Sequence, residues 1–274
     1  MTSILDILEF GLPLLYAASF ALYFRHFLNP QSERRFYGPA LLKATLAVHA
    51  GYLVTLGVLL EHFPIATRAE FLSVLAISIA AVYAFVETRH EDPNTGVFFL
   101  ALVFSFQLAS SVLMVDIGDY PEQASRPVFA VHVIFTVLGF AALSLSALYA
   151  LMYVLLARQL KSHELGVIFE RLPSLATLEN MSKLSTVAGV VLLGLGLALG
   201  HWVAFEQGGS LAVLDPVIVA ADLIWLAYFI GLIVASVRGL SGLRMGYLSV
   251  IGYVALIGTV FAIMLLSGAF HSFS

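Results

Sequence analysis

The chain has 274 residues, of which 61% are apolar and only 11% charged, and its formal net charge is −4. A soluble domain carries roughly 25% charged residues, so this chain cannot cover a water-facing surface, and its mean hydropathy of +0.98 places it in lipid. It contains no cysteine, which excludes disulfides, thiolate catalysis, Cys-ligated iron–sulfur centres and covalent heme attachment through a CxxCH motif. No basic block suggests nucleic acid.

In chain order, eight apolar runs are long enough to cross a bilayer as helices: Ile7 to Phe24, Leu41 to Leu60, Phe71 to Val86, Gly96 to Val115, Val128 to Leu156, Leu184 to Phe205, Val217 to Val237 and Tyr247 to Ser267. The third run is short and the fifth long, so the fifth helix is expected to tilt or to extend into water. The first run follows no basic n-region and no small-residue cleavage site, and reads as a retained span. Continuous rather than alternating apolar residues disfavour a β-barrel. The expected fold is therefore all-α, a single integral membrane domain over residues 1–274 built as a polytopic bundle of eight transmembrane helices.

Orientation follows from the basic residues. Eleven of the thirteen Lys and Arg fall in the loops opposite the termini, and only Arg68 and Arg126 fall on the terminus side. The positive-inside rule then predicts both termini outside the cytoplasm. The longest cytoplasmic loop, residues 158–183, combines charged residues with apolar ones at helical spacing. An interfacial helix and a partly ordered linker fit this segment equally well.

Four of the eight histidines fall in or beside spans. His132 lies about 7 Å into span five from its outer end, His201 near the outer end of span six, and His271 at the outer end of span eight; His49 lies nearer the middle of span two. Taken alone, each reads as a hydrogen-bonding residue in the membrane. Three histidines from three helices converging on one depth point instead to a ligand set, since neutral imidazole binds heme iron, zinc and copper. Zinc fits less well, with no Cys and no HExxH pair. Two imidazoles facing across an apolar, aromatic-walled cleft suit a flat porphyrin, with Trp202, Phe205, Phe129 and Phe270 as candidate walls. Arg126 and Arg68 are the outer cations able to meet propionates. Asp222, the carboxylate deepest in a predicted span, is expected to face other helices, paired or protonated. It reads as a helix–helix hydrogen bond or as a proton relay. Asp215 is expected to cap the helix that follows. Small-residue stripes, Gly139, Ala142 and Ser146 in span five and Gly189, Gly196 and Gly200 in span six, read as close-packing faces.

Four stretches carry a resemblance to a known family: His62-Phe-Pro-Ile-Ala-Thr-Arg-Ala-Glu70, Pro127-Val-Phe-Ala-Val-His132-Val, the segment from Gly200 through Asp215-Pro216 to Trp225-Leu-Ala-Tyr228, and Ser267-Gly-Ala-Phe-His271-Ser-Phe. Together they resemble the membrane cytochrome c assembly proteins, the c-type heme ligases and their HemX-like relatives. The resemblance implies that His132 and His271 are an axial pair for a non-covalent, b-type heme at the outer face of a prokaryotic cytoplasmic membrane. His201 and His49 are second choices, with Trp202 and Arg126 beside the porphyrin. Asp215-Pro216 stands without the tryptophan-rich stretch of the family's ligases, and Ile233 stands where they carry a further membrane histidine. The Asp-Pro without the tryptophans resembles the HemX-like branch, whose role is accessory to heme synthesis or cytochrome maturation. The expected function is heme handling without catalysis, with heme and cytochrome-maturation or heme-synthesis proteins as partners. The alternative is a HemX-like regulatory or scaffold subunit that binds no heme and uses residues 158–183 as its contact surface. A transporter gated near Asp222 is disfavoured by the lack of an inverted repeat.

Overall fold

The computed structural model describes residues 2–29, 36–61, 63–65, 67–90, 92–113, 126–163, 166–208 and 216–266. These form nine helices among the described residues: α1 (Thr2–Leu28), α2 (Gly38–Leu60), α3 (Arg68–His90), α4 (Gly96–Leu113), α5 (Pro127–Ser162), α6 (Val167–Arg171), α7 (Leu175–Gly208), α8 (Pro216–Val237) and α9 (Leu243–Leu266). All but α6 are long and apolar enough to cross a membrane. The chain is an all-α, multi-pass membrane protein, and the eight spans read from the sequence each have a helix.

Helix ends follow local chemistry. Thr67 and Glu70 form a capping box at the start of α3: each side-chain oxygen accepts from the other's backbone N–H, at 3.1 and 3.2 Å. Pro127 opens α5, where its missing N–H costs no helical bond. Ser174 caps α7 by accepting from the Thr177 backbone N–H at 3.2 Å. α8 ends in a left-handed Gly239, φ +60°, with the Leu240 N–H reaching back to the Ala235 carbonyl at 2.8 Å, the Schellman arrangement that glycine permits.

Two spans outrun the sequence reading. α5 has 36 residues and α7 has 34, about 50 Å each, well beyond a hydrocarbon core of roughly 30 Å. The extra turns come from the two ends of segment 158–183. α5 continues to Ser162 and α7 already begins at Leu175, which leaves a short connection carrying the five-residue α6. Arg158, Lys161, Glu179 and Lys183 sit on these helical extensions.

The helices sort into two compact units, 1–119 with 165–172 and 120–164 with 173–274. Within the first, α1 packs on α2, α2 on α3, α3 on α4 and α4 on α1, a closed ring of four, with α6 against α1. Within the second, α5 packs on α7, α7 on α8, α8 on α9 and α9 on α5, again a ring of four, and the α5–α7 contact is the most extensive. Large apolar side chains point outward from both units, among them Leu14, Val58, Leu223 and Val254. Such surfaces are stable against lipid and costly in water.

The first unit is tied by a buried polar chain with one residue from each of α1 to α4. The Tyr16 hydroxyl lies 2.9 Å from His49 Nδ1, His49 Nε2 lies 2.8 Å from Ser73 Oγ, and Ser73 donates to Gln107 Oε1 at 3.2 Å. Since Ser73 spends its proton on the amide oxygen, it accepts from His49 Nε2–H, and Nδ1 accepts from Tyr16. All donors point the same way from α1 to α4, and His49 is a neutral imidazole with both nitrogens engaged. In addition, Tyr23 on α1 places its hydroxyl 2.9 and 2.7 Å from the two carboxylate oxygens of Glu87 on α3. Glu87, one residue beyond the third apolar run, lies inside α3 and is 7% exposed.

Candidate functional site

The second unit brings two of the sequence-selected histidines, His132 and His201, to one of its ends. Tyr247, early in α9, accepts from Arg158 near the end of α5 at 2.9 Å, so α9 runs antiparallel to α5. The end where α5 and α8 begin is therefore also the end where α7 and α9 finish. His132 lies five residues beyond Pro127, His201 seven before Gly208, and Asp222 six after Pro216. At about 1.5 Å per residue these positions share one layer, some 7–10 Å in from the helix ends.

A seam of close contacts between α5 and α7 fixes the place of His132. A Cβ added at Gly189 would meet Leu143 at 2.7 Å, one at Gly139 would meet the Leu193 backbone nitrogen at 2.7 Å, and one at Gly200 would meet His132 Cε1 at 2.7 Å. Thr136 faces Gly196 in the same way. Lower in the seam, Ser146 lies 2.6 Å from Thr186 Oγ1. The partners advance in matched antiparallel steps, each glycine opening room for the residue opposite. The stripes read from the sequence are thus a packing seam, and its last step is the cradle of His132.

Within that cradle His132 Nδ1 lies 2.7 Å from the Gly196 carbonyl oxygen. A carbonyl only accepts, so Nδ1 carries the proton and, in the neutral ring, the lone pair is on Nε2. Metal-binding histidines are characteristically held in this way, with the second nitrogen donating to a backbone carbonyl that fixes tautomer and ring plane. His132 is half-buried, and Phe129, which is 3% exposed, packs beside it with ring centroids 6.1 Å apart.

His201 is held differently. Its Nδ1 donates to the Leu197 carbonyl at 2.8 Å, and its Nε2 lies 3.0 Å from Asp222 Oδ2 on α8. With Nδ1 already a donor, the second contact needs one more proton, either on imidazolium or on the carboxyl. Both nitrogens are thereby committed. Asp222, expected to be paired or protonated, finds its partner in a histidine, and the pair ties α7 to α8.

The remaining candidates divide. His49 belongs to the first unit, is fully buried, and has both nitrogens hydrogen-bonded within the polar chain. Trp202 and Phe205, both 61% exposed, lie on the outer side of α7, and the Trp202 indole donates to Glu206 on its own helix at 2.7 Å. Arg126 is exposed at the N-cap of α5, beside the His132 layer. His271, Phe270, His62 and Asp215 lie outside the described residues. α9 is described to Leu266, five residues before His271, and finishes at the His132 end. No group of three or more His, Asp or Glu forms a metal-holding cluster among the described residues. Both ring nitrogens of His201 and of His49 are thus engaged within the protein, while the Nδ1 proton of His132 is directed at the Gly196 carbonyl. The sequence reading missed the Tyr16–His49–Ser73–Gln107 chain. The available signal was four polar residues at interior positions of four otherwise apolar helices.

Comparison with known proteins identifies the family. The sequence profile of the cytochrome C assembly proteins matches residues 41–271, a stretch that takes in His132 and ends on His271. The chain is 27% identical over 220 residues to Protein HemX of Brevibacillus brevis, covering 78% of this chain and 79% of that one. It is 25% identical over 201 residues to Protein HemX of Bacillus subtilis (strain 168), covering 72% of this chain but 63% of that longer one. No solved structure matches significantly.

Proposed function

The chain belongs to the cytochrome c assembly protein family, and from that premise we propose that it is a non-enzymatic heme-handling membrane protein of the HemX-like kind. It holds heme non-covalently at the end of the second unit where α5 begins. The observation that carries this reading is the Nδ1–H bond from His132 to the Gly196 carbonyl, which presents Nε2 as the lone-pair nitrogen. His132 and His271 would hold the iron, and Arg126 would meet a propionate. Heme bound there supplies a ligand to be carried or sensed. The chain's own residues orient one imidazole, wall it with Phe129, and keep His201 engaged with Asp222. The segregation of basic residues supports placing this end, with both termini, on the extracytoplasmic side of a prokaryotic cytoplasmic membrane.

Absorption spectra of the detergent-purified protein after heme addition test the reading. Sharp low-spin bands that disappear in both His132→Ala and His271→Ala are expected. Bands unchanged in both variants would move the ligands elsewhere.

A second reading rests on a separate observation. His201 in the layer, and His49 in the first unit, each have both ring nitrogens engaged within the protein. A HemX-like scaffold that acts on heme-synthesis or cytochrome-maturation proteins needs no heme of its own. The extended ends of α5 and α7 and the connection between them then form its contact surface. Absence of any saturable heme binding would favour it.

A further inference from the structure

In the second unit a cleft opens between α8 and α9, floored by α7, on residues that the heme reading does not use. Thr186, Tyr228, Gly231, Met245, Ser249 and Leu256 are among its lining, and the cavity between them measures about 190 Å³. No charged side chain lines it among the described residues. Its one anomaly is the Tyr228 hydroxyl, which is buried and has no hydrogen-bond partner among the described residues. Leaving such a donor unsatisfied costs about 1–3 kcal/mol, and in lipid no water offsets it.

The surroundings favour a ligand over simple packing. Gly252 lets the phenol ring lie against α9, since a Cβ there would stand 3.3 Å from Tyr228 Cζ and Oη. On the α8 wall, a Cβ at Gly231 would meet nothing within 4 Å. Glycine in a helix interior costs roughly 1 kcal/mol against alanine, and here it leaves the space open. Tyr228 lies ten residues into the span Ile218–Val237, close to mid-membrane. The ester carbonyls of phospholipids lie near the headgroups, about 15 Å away.

We propose that the α8–α9 cleft binds an uncharged, membrane-dissolved molecule whose apolar body fills the cleft and whose carbonyl or ether oxygen accepts a hydrogen bond from Tyr228. The site is separate from the His132 end, and its occupancy does not depend on heme.

Photolabelling of the full chain in lipid nanodiscs tests it. Benzophenone serves as the probe, an apolar carbonyl compound that inserts preferentially at methionine. Saturable labelling of Met245 is expected. It should weaken about fivefold in Tyr228→Phe, the equivalent of one lost hydrogen bond, and vanish in Gly231→Leu, which fills the cleft while favouring the helix. Labelling spread over the outward-facing Leu223 and Leu226, equal in all three proteins, would overturn the proposal. Replacing ester-linked by ether-linked phospholipids should leave Met245 labelling unchanged. An increase would mean that lipid ester carbonyls occupy the cleft, and would overturn the assignment to a dissolved molecule.

Discussion

The imidazole of His132 occupies the space that the side chain of residue 200 would otherwise fill: a Cβ on Gly200 would lie 2.7 Å from Cε1 and 3.0 Å from Nδ1 of the ring. One helix has given up a side chain so that the other can lay a histidine against its backbone, within reach of the Gly196 carbonyl. The first prediction follows directly. Gly200→Ala, which in an open helix would stabilise by roughly 1 kcal/mol, should here displace the ring, break the Nδ1 bond and destabilise the second unit by about 1–3 kcal/mol. Thermal unfolding in detergent measures the sign, and heme titration should weaken in parallel. A gain in stability with unchanged heme spectra would show that the cradle is unimportant.

The same seam makes a prediction that is independent of heme. At Gly139 the neighbour is Leu193 backbone, at 2.7 Å, which cannot swing aside as a flexible side-chain tip can. Gly139→Leu should therefore force α5 and α7 apart and lower the melting temperature more than Gly231→Leu. Differential scanning fluorimetry of the two variants compares a filled seam with a filled cleft.

His49 and His132 should respond in opposite ways. His49→Phe removes the centre of the Tyr16–His49–Ser73–Gln107 chain and strands the Tyr16 hydroxyl among four helices, at a cost of about 1–3 kcal/mol. The first unit should lose stability while heme spectra stay as in the parent protein. His132→Ala should do the reverse. Loss of the heme bands in a folded His49→Phe protein would reassign the ligand.

The His201–Asp222 pair should be coupled. Because one proton serves both groups, His201→Gln and Asp222→Asn should each destabilise α8 against α7, and the double variant should cost less than their sum. The pair is partly exposed, so the coupling is expected to be modest, on the order of 1 kcal/mol. Additive effects in a double-mutant cycle would mean that the contact is incidental. If heme binding survives His201→Gln, His201 is removed from the ligand set, as its engagement with Asp222 implies.

Much of this was legible without coordinates. Eight spans could be read because a lipid solvent requires about 20 apolar residues for each crossing and tolerates little charge within them. That requirement is local and additive along the chain. The common depth of His132 and His201 could be read too, because helical rise converts residue number into depth. The glycine stripes were visible, although what they accommodate was not.

Rotation about a helix axis, and with it the choice of partner, was decided only by tertiary structure. Depth is fixed by counting residues, whereas direction depends on which neighbour each face meets. Hence three histidines that look alike in the sequence divide into one clasped by Asp222, one buried in a four-helix polar chain and one whose tautomer is set by a carbonyl that glycine leaves accessible. The sorting of eight spans into two rings of four, and the burial of Glu87 against Tyr23, likewise arise from contacts between residues far apart in the chain, which no local pattern encodes.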